Sequence, residues 1–216
     1  MTTTAPDAPV PVLHLDTVFH VGTLNPGHKG TSSLEGRGLS VSVHPYDWTI
    51  IARLGGGRTW TLTRPEGHPF TFLDAHELTD AQRDLITNWG LNRGYIEPVT
   101  AYRVTWFDED FKETVSILTL DGDDANAEAD DESRALADGT PAPVTVETVH
   151  AATPAFPDSH VRTDRLDPFP LLLTVWVDQT RPDLDGVWWE DHYTPELLSC
   201  PRGVLTLTAA ASVVAS

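Results

Sequence analysis

The sequence predicts an α+β fold: a single domain built on a mostly antiparallel sheet, or on split sheets, with a few short helices. Three observations lead there. Short runs with strict two-residue alternation, such as Leu39–Val43 and Thr59–Thr63, outnumber the helical stretches. The helical stretches are short and gather in the first half of the chain, and no internal repeat is present.

Residues 1–12 are rich in Thr, Pro and Ala and read as a flexible tail, leaving 13–216 as the domain. From His14 to Val21 the pattern is extended. Asn25-Pro-Gly-His-Lys-Gly carries turn chemistry, and Ser32–Gly36 reads as a short helix stopped by Gly36 and Gly38. Leu39–Val43 follows as a strand with Ser40 and Ser42 on one face. Pro45 then opens a helical piece over Tyr46–Leu54, closed by three glycines. Thr59–Thr63 is a strand whose sheet Phe70–Leu73 extends. Thr79-Asp-Ala-Gln is a capping box, so a helix runs from there to about Leu91, burying Leu85, Ile86 and Trp89, with Gly94 near its end. Val99–Phe107 and Glu113–Leu120 pair through an Asp108-Glu-Asp turn, and Val144–His150, Leu171–Val177 and Val204–Thr208 are further strands. Trp188–Tyr193 is a short edge strand or a loop.

The 216 residues include 32 acidic and 14 basic side chains, a net charge of −18. Such a chain repels phosphate backbones, which argues against nucleic-acid binding through a basic face. The charge is concentrated: Asp108–Asp138 holds twelve acidic residues against Lys112 and Arg134, a net −10. Within it, 121–140 reads as an acidic, disordered insertion that keeps the protein soluble, or as an acidic surface offered to a basic partner. One cysteine, Cys200, allows no internal disulfide and no cysteine-rich zinc site. The apolar runs are too short to span a bilayer and the N-terminus carries no secretory signal pattern, so no membrane association and a cytoplasmic location are expected.

Among possible chemistries, several fall at once. The nine histidines show no ligand spacing and no His-Glu-x-x-His string, so no metal is expected. No phosphate loop ending in Gly-Lys-Ser/Thr occurs. A Cys200–His192 nucleophile and base pair is weaker than the reading of Cys200 as a small apolar residue. Three other segments remain. Val18-Phe-His-Val-Gly-Thr23 places His20 and Thr23 around Gly22 at a strand end, Ser33-Leu-Glu-Gly-Arg-Gly-Leu39 follows, and then comes Ser40-Val-Ser-Val-His-Pro-Tyr-Asp-Trp.

In that order these segments resemble the N-terminal half of ADP-ribosyltransferase-like domains. There a strand carrying His-Gly-Thr precedes a short helix ending in Gly-Leu and then a strand with Ser or Tyr. The likeness covers residues 18–54, with His20-Val-Gly-Thr23 one residue longer than the common form. It implies NAD as cofactor. His20 would bond the adenosine or the nicotinamide ribose, the Val21 or Gly22 backbone would hold the nicotinamide amide, and Thr23 would support that loop. Ser42, or Ser40 in the other register, would face the nicotinamide ring. The superfamily's third motif is a Glu that binds the ribose and stabilises the positive charge developing as nicotinamide leaves. Glu190, beside Trp188 and Trp189, is the preferred candidate over the Asp108-Glu109-Asp110 turn. Arg53 and Arg202, the latter on a turn made by Pro201 and Gly203, would suit the pyrophosphate.

The resemblance therefore implies transfer of ADP-ribose from NAD to a macromolecular acceptor, a role that in bacteria often belongs to toxins or phage-conflict effectors. A basic target or an antitoxin-like partner would meet the acidic segment. The alternatives are a noncatalytic acidic protein that engages a basic partner, and a degenerate transferase fold kept as an interaction scaffold.

Overall fold

The computed structural model describes residues 9–25, 38–46, 49, 57–108, 113–135, 144–154, 169–192 and 199–216. The expected helices at Ser32–Gly36 and at most of Tyr46–Leu54 lie outside these residues, although Pro45, Tyr46 and Thr49 are helical. The α+β class holds, with two mostly antiparallel sheets and short helices. The chain separates into two compact units, Met1–Gly90 with Phe169–Ser216, and Leu91–Pro168 inserted between them.

The first unit carries an eight-stranded sheet of β1 (Val12–Leu15), β2 (Val18–Val21), β3 (Leu39–Ser42), β4 (Thr59–Thr63), β5 (Phe70–Asp74), β9 (Gly186–His192), β10 (Ser199–Leu205) and β11 (Val214–Ala215). Their order is β1-β5-β9-β10-β3-β2-β4-β11, antiparallel except between β5 and β9. β4 and β5 belong to the same sheet, as expected, with four strands between them. Val18, Leu39, Val41, Leu62, Phe70, Phe72, Trp188 and Leu205 form one buried cluster. Helix α4 (Leu207–Ala210), capped by Thr206 Oγ1 accepting the Ala209 N–H, adds Ala209 and Ala210 to it. Val187 and Val204, on the opposite face of the sheet, are also fully buried. Gly203 is required where it stands, because a Cβ there would lie 2.5 Å from Trp188 Cε3 on the paired strand.

Helix α1 (Asp80–Arg93) starts as its capping box predicts. The Gln82 N–H donates to Thr79 Oγ1 and the Thr79 N–H to Gln82 Oε1, at 3.3 and 2.8 Å. Ile86 is buried, Leu85 and Trp89 are half-buried, and Gly94 ends the helix with φ +70°. The tail expected over 1–12 is corrected at its end. Pro9 O accepts Gln82 Nε2–H, Pro11 O accepts the Asp74 N–H, and Val12 already belongs to β1.

Three further readings are corrected. Leu171–Val177 is helical, within α3 (Phe169–Thr180). A run that is apolar on all sides carries no period, and here burial of Leu171–Thr174, Trp176 and Val177 wraps nearly the whole helix. Trp188–Tyr193 overlaps the central strand β9 rather than an edge, and Pro201-Arg202-Gly203 lies in β10 rather than on a turn. β10 pairs with β3 only from Arg202 onward, so Pro201 supplies no ladder donor to that neighbour.

The second unit is a three-stranded antiparallel sheet, β6 (Ile96–Asp108) between β7 (Glu113–Thr119) and β8 (Thr145–Pro154). Its helix α2 (Gly122–Ala135) corrects the disorder expected for the acidic segment; residues 136–140 lie outside those described. The reason is local as well as tertiary. Asp121 caps the helix, its carboxylate accepting the Asp123 N–H at 2.7 Å, and Asp123 and Asp124 favour the positive helix end. Ala125 is fully buried in a cluster with Val104 and Trp106, with Ala129 packed against it, while Asp123, Asp124, Asp130 and Asp131 are exposed. Among the described residues no helix is long and apolar enough to cross a membrane.

Asp185, 8% exposed, ties the first unit together ahead of β9. Its carboxylate accepts the Thr71 N–H at 2.8 Å and Arg64 at 2.9 Å, its own N–H donates to Thr71 O, and its carbonyl accepts the Thr206 N–H. Replacing Asp185 with Ala leaves the Thr71 amide and the Arg64 guanidinium without their acceptor. In urea denaturation, stability should fall by about 2–4 kcal/mol.

Candidate functional site

Strands β2, β3, β10 and β9 are consecutive in the sheet, so segments remote in sequence become neighbours. Phe19 stands opposite Ser42, Ser42 opposite Arg202, and Arg202 opposite Trp189. Residues opposite each other across a ladder share a face, so these four form one row. Ser40 belongs to the same face, two residues along β3. His20, the residue after Phe19, falls on the other face, that of Val18 and Val41 in the buried cluster.

His20 is 9% exposed and both its ring nitrogens meet main-chain carbonyls. Nδ1 lies 2.8 Å from Ser40 O and Nε2 lies 3.1 Å from Thr23 O. The ring thus pins the turn after β2 onto β3. That turn needs Gly22, whose φ is +122°. The Gly22 N–H donates to Arg58 O and its carbonyl accepts Trp60 Nε1–H, each at 2.9 Å, while Asn25 N–H donates to Thr23 O at 2.7 Å. The expected ligand contacts of His20 and of the Gly22 backbone are corrected accordingly: their polar groups are engaged within the protein. Thr23 itself is exposed.

The two serines differ. Ser42 is fully buried, and its hydroxyl donates to Pro201 O at 2.9 Å and accepts the His44 N–H at 3.0 Å. The hydroxyl of Ser42, expected beside the nicotinamide ring, fastens β3 to β10 instead of standing open. Ser40 is half-exposed. Arg202, half-buried, has its guanidinium carbon 5.7 Å from the centre of the Trp189 ring, within cation–π range. Burial pulls its guanidinium down to about 10. Glu190 stands opposite Pro201 and, one residue after Trp189, takes the other face of the sheet from the row of Arg202 and Trp189, three strand spacings from β2, about 14 Å. Arg53 lies outside the described residues.

Against NAD, the fit of these residues is divided. Arg202, Ser40 and Trp189 offer a cation, a hydroxyl and a ring on one face of the sheet, whereas His20, Gly22 and Ser42 have no donor left to offer. The sequence reading missed Arg58 and Trp60. Their two-residue spacing at a strand start was the available signal, since it puts both on one face, and the Arg58 guanidinium carbon sits 3.6 Å from the Trp60 ring centre. Among the described residues no group of three or more His, Cys, Asp or Glu is arranged to hold a metal ion. Comparison with protein-family models, with curated proteins and with solved structures finds no match to this chain.

Arg202 gives a stability test with a definite sign. A base whose folded pKa of about 10 lies below that of the free group disfavours folding while it is charged in both states. That cost is complete below about pH 10 and fades as pH rises further, towards the range of the free guanidinium. Arg202→Met should therefore be more stable than the parent at neutral pH, by about 1–3 kcal/mol. Denaturation curves taken at rising pH should show the gap narrowing past about 10.

Proposed function

We propose that the chain is an ADP-ribosyltransferase-like enzyme that uses NAD to modify a macromolecular acceptor, in the manner of the toxin and effector domains it resembles. The supporting observation is the convergence of residues 19, 42, 202 and 189 in one cross-strand row, with Ser40 on the same face; Glu190 follows Trp189 on β9, at a position of the opposite face. NAD supplies an ADP-ribosyl group attached to a nicotinamide leaving group. In this reading Arg202 forks onto the pyrophosphate oxygens, a geometry its planar guanidinium suits. Trp189 gives ring surface beside it, and Ser40 is the second-motif serine. Glu190 provides the fixed carboxylate opposite positive charge developing on the sugar, and Thr23 stays near the site only through its turn. His20 is a positioning residue.

The test is release of nicotinamide from NAD by the purified chain. Glu190→Gln should lower the rate by about 100–1,000-fold while its thermal midpoint stays that of the parent. An unchanged rate would overturn the assignment of Glu190.

A second reading has its own observation. The acidic segment is a folded helix, so its carboxylates are displayed on a structured surface. The unit Leu91–Pro168 holds 17 acidic and 6 basic residues, a net −11 of the chain's −18. Such a surface fits a basic protein partner. Changing Asp123, Asp124, Asp130 and Asp131 together to Asn should weaken binding of a lysine-rich peptide at least about tenfold and flatten its salt dependence, leaving nicotinamide release unchanged. Equal affinity of parent and variant removes this reading.

A further inference from the structure

We propose that His20 is a proton-operated latch on the turn that follows β2. A carbonyl oxygen only accepts, and the two ring nitrogens of His20 face two of them, Ser40 O at 2.8 Å and Thr23 O at 3.1 Å. The doubly protonated ring donates to both; the neutral ring has a single N–H and donates to one. The geometry also says which bond is lost. The Ser40 contact is the shorter, and Thr23 O already accepts the Asn25 N–H at 2.7 Å, so the neutral ring keeps its proton on Nδ1 for Ser40 and lets go of Thr23.

Release stays local. Gly22, at φ +122°, is the conformationally permissive residue of the turn, and its own N–H and carbonyl remain fixed by Arg58 O and Trp60 Nε1. Thr23 and Asn25, both exposed, are the residues set loose. Among the described residues, the charged or titratable groups next to the elements flanking His20 are Asp16 ahead of β2, Arg58 and Arg64 at the two ends of β4, His44 beyond β3 and, one strand further, Arg202 on β10. β2, β3, β4 and the turn 22–25 themselves carry no carboxylate, and the ring nitrogens face carbonyl oxygens. The turn is therefore held by the doubly protonated ring and freed when that ring gives up a proton. This inference stands on the latch atoms and does not require NAD.

The experiment is a nuclear magnetic resonance titration of the whole chain from about pH 5 to about pH 8. It follows the ring nitrogens of His20, the amides of Thr23 and Asn25, and the indole N–H of Trp60. The expected result is one common midpoint for the ring and the Thr23 and Asn25 amides, a smaller shift at Trp60, and faster exchange of the Asn25 amide at the high end. His20→Gln should abolish the response of the turn, and His44→Gln should leave it intact. Turn amides that stay fixed while the ring titrates, a ring that does not titrate, or a response that survives in His20→Gln would each overturn the latch. Should His20→Gln fail to fold, the parent and His44→Gln titrations decide.

Discussion

The pairing of β10 with β9 on one side and β3 on the other is the constraint from which the first unit follows. Closing a ladder between residues 39–42 and 202–205 orders a long span of chain, a cost that grows only slowly with loop length but must be met by burial. The burial is there. Val204 and Leu205 are fully enclosed, and Trp188 lies against the bare backbone of Gly203 and tilts onto Phe72, 5.3 Å away between ring centres. Asp185 secures the beginning of β9 with four hydrogen bonds, three from its own backbone and carboxylate to Thr71 and Thr206, and one from Arg64. Every residue of the candidate site on β3, β9 and β10 owes its neighbours to this one arrangement.

The same ladder sorts the polar residues into two kinds. Ser42, His20 and the Gly22 backbone meet partners inside the protein, as buried polar groups must when water is excluded. Arg202 is of the second kind: half-buried beside the Trp189 ring, its guanidinium bears a desolvation cost that lowers its pKa. The first kind can still matter for function, since His20 fixes the turn on whose conformation any neighbouring site depends.

The inserted unit shows how an acidic composition can be reconciled with a fold. The apolar contribution of α2 is little more than Ala125 and Ala129, yet these meet Val104, Trp106 and Tyr102 on a sheet whose own strands are paired in long register. The carboxylates are left to solvent, where their mutual repulsion is screened. A capped helix start and alanines of high helix propensity do the rest.

By itself the sequence determined the strands with clean alternation, β3 and β4, the capped start of α1, and the α+β class, because each of these rests on interactions within a few residues. It named His20, Ser40, Ser42, Glu190 and Arg202 as candidates, but not what any of them touches. Only the tertiary structure decided that Leu171–Val177 is a helix, that Gly122–Ala135 within the acidic run is a helix, and that Pro201–Gly203 is a strand interior. Period and composition are silent where a segment is apolar on all sides, or where its partner is far along the chain. Face is decided the same way. A single register, Phe19 against Ser42, sends His20 to the face of Val41 and Trp188 and Arg202 to the other, and no local pattern encodes a register set by strands 160 residues away.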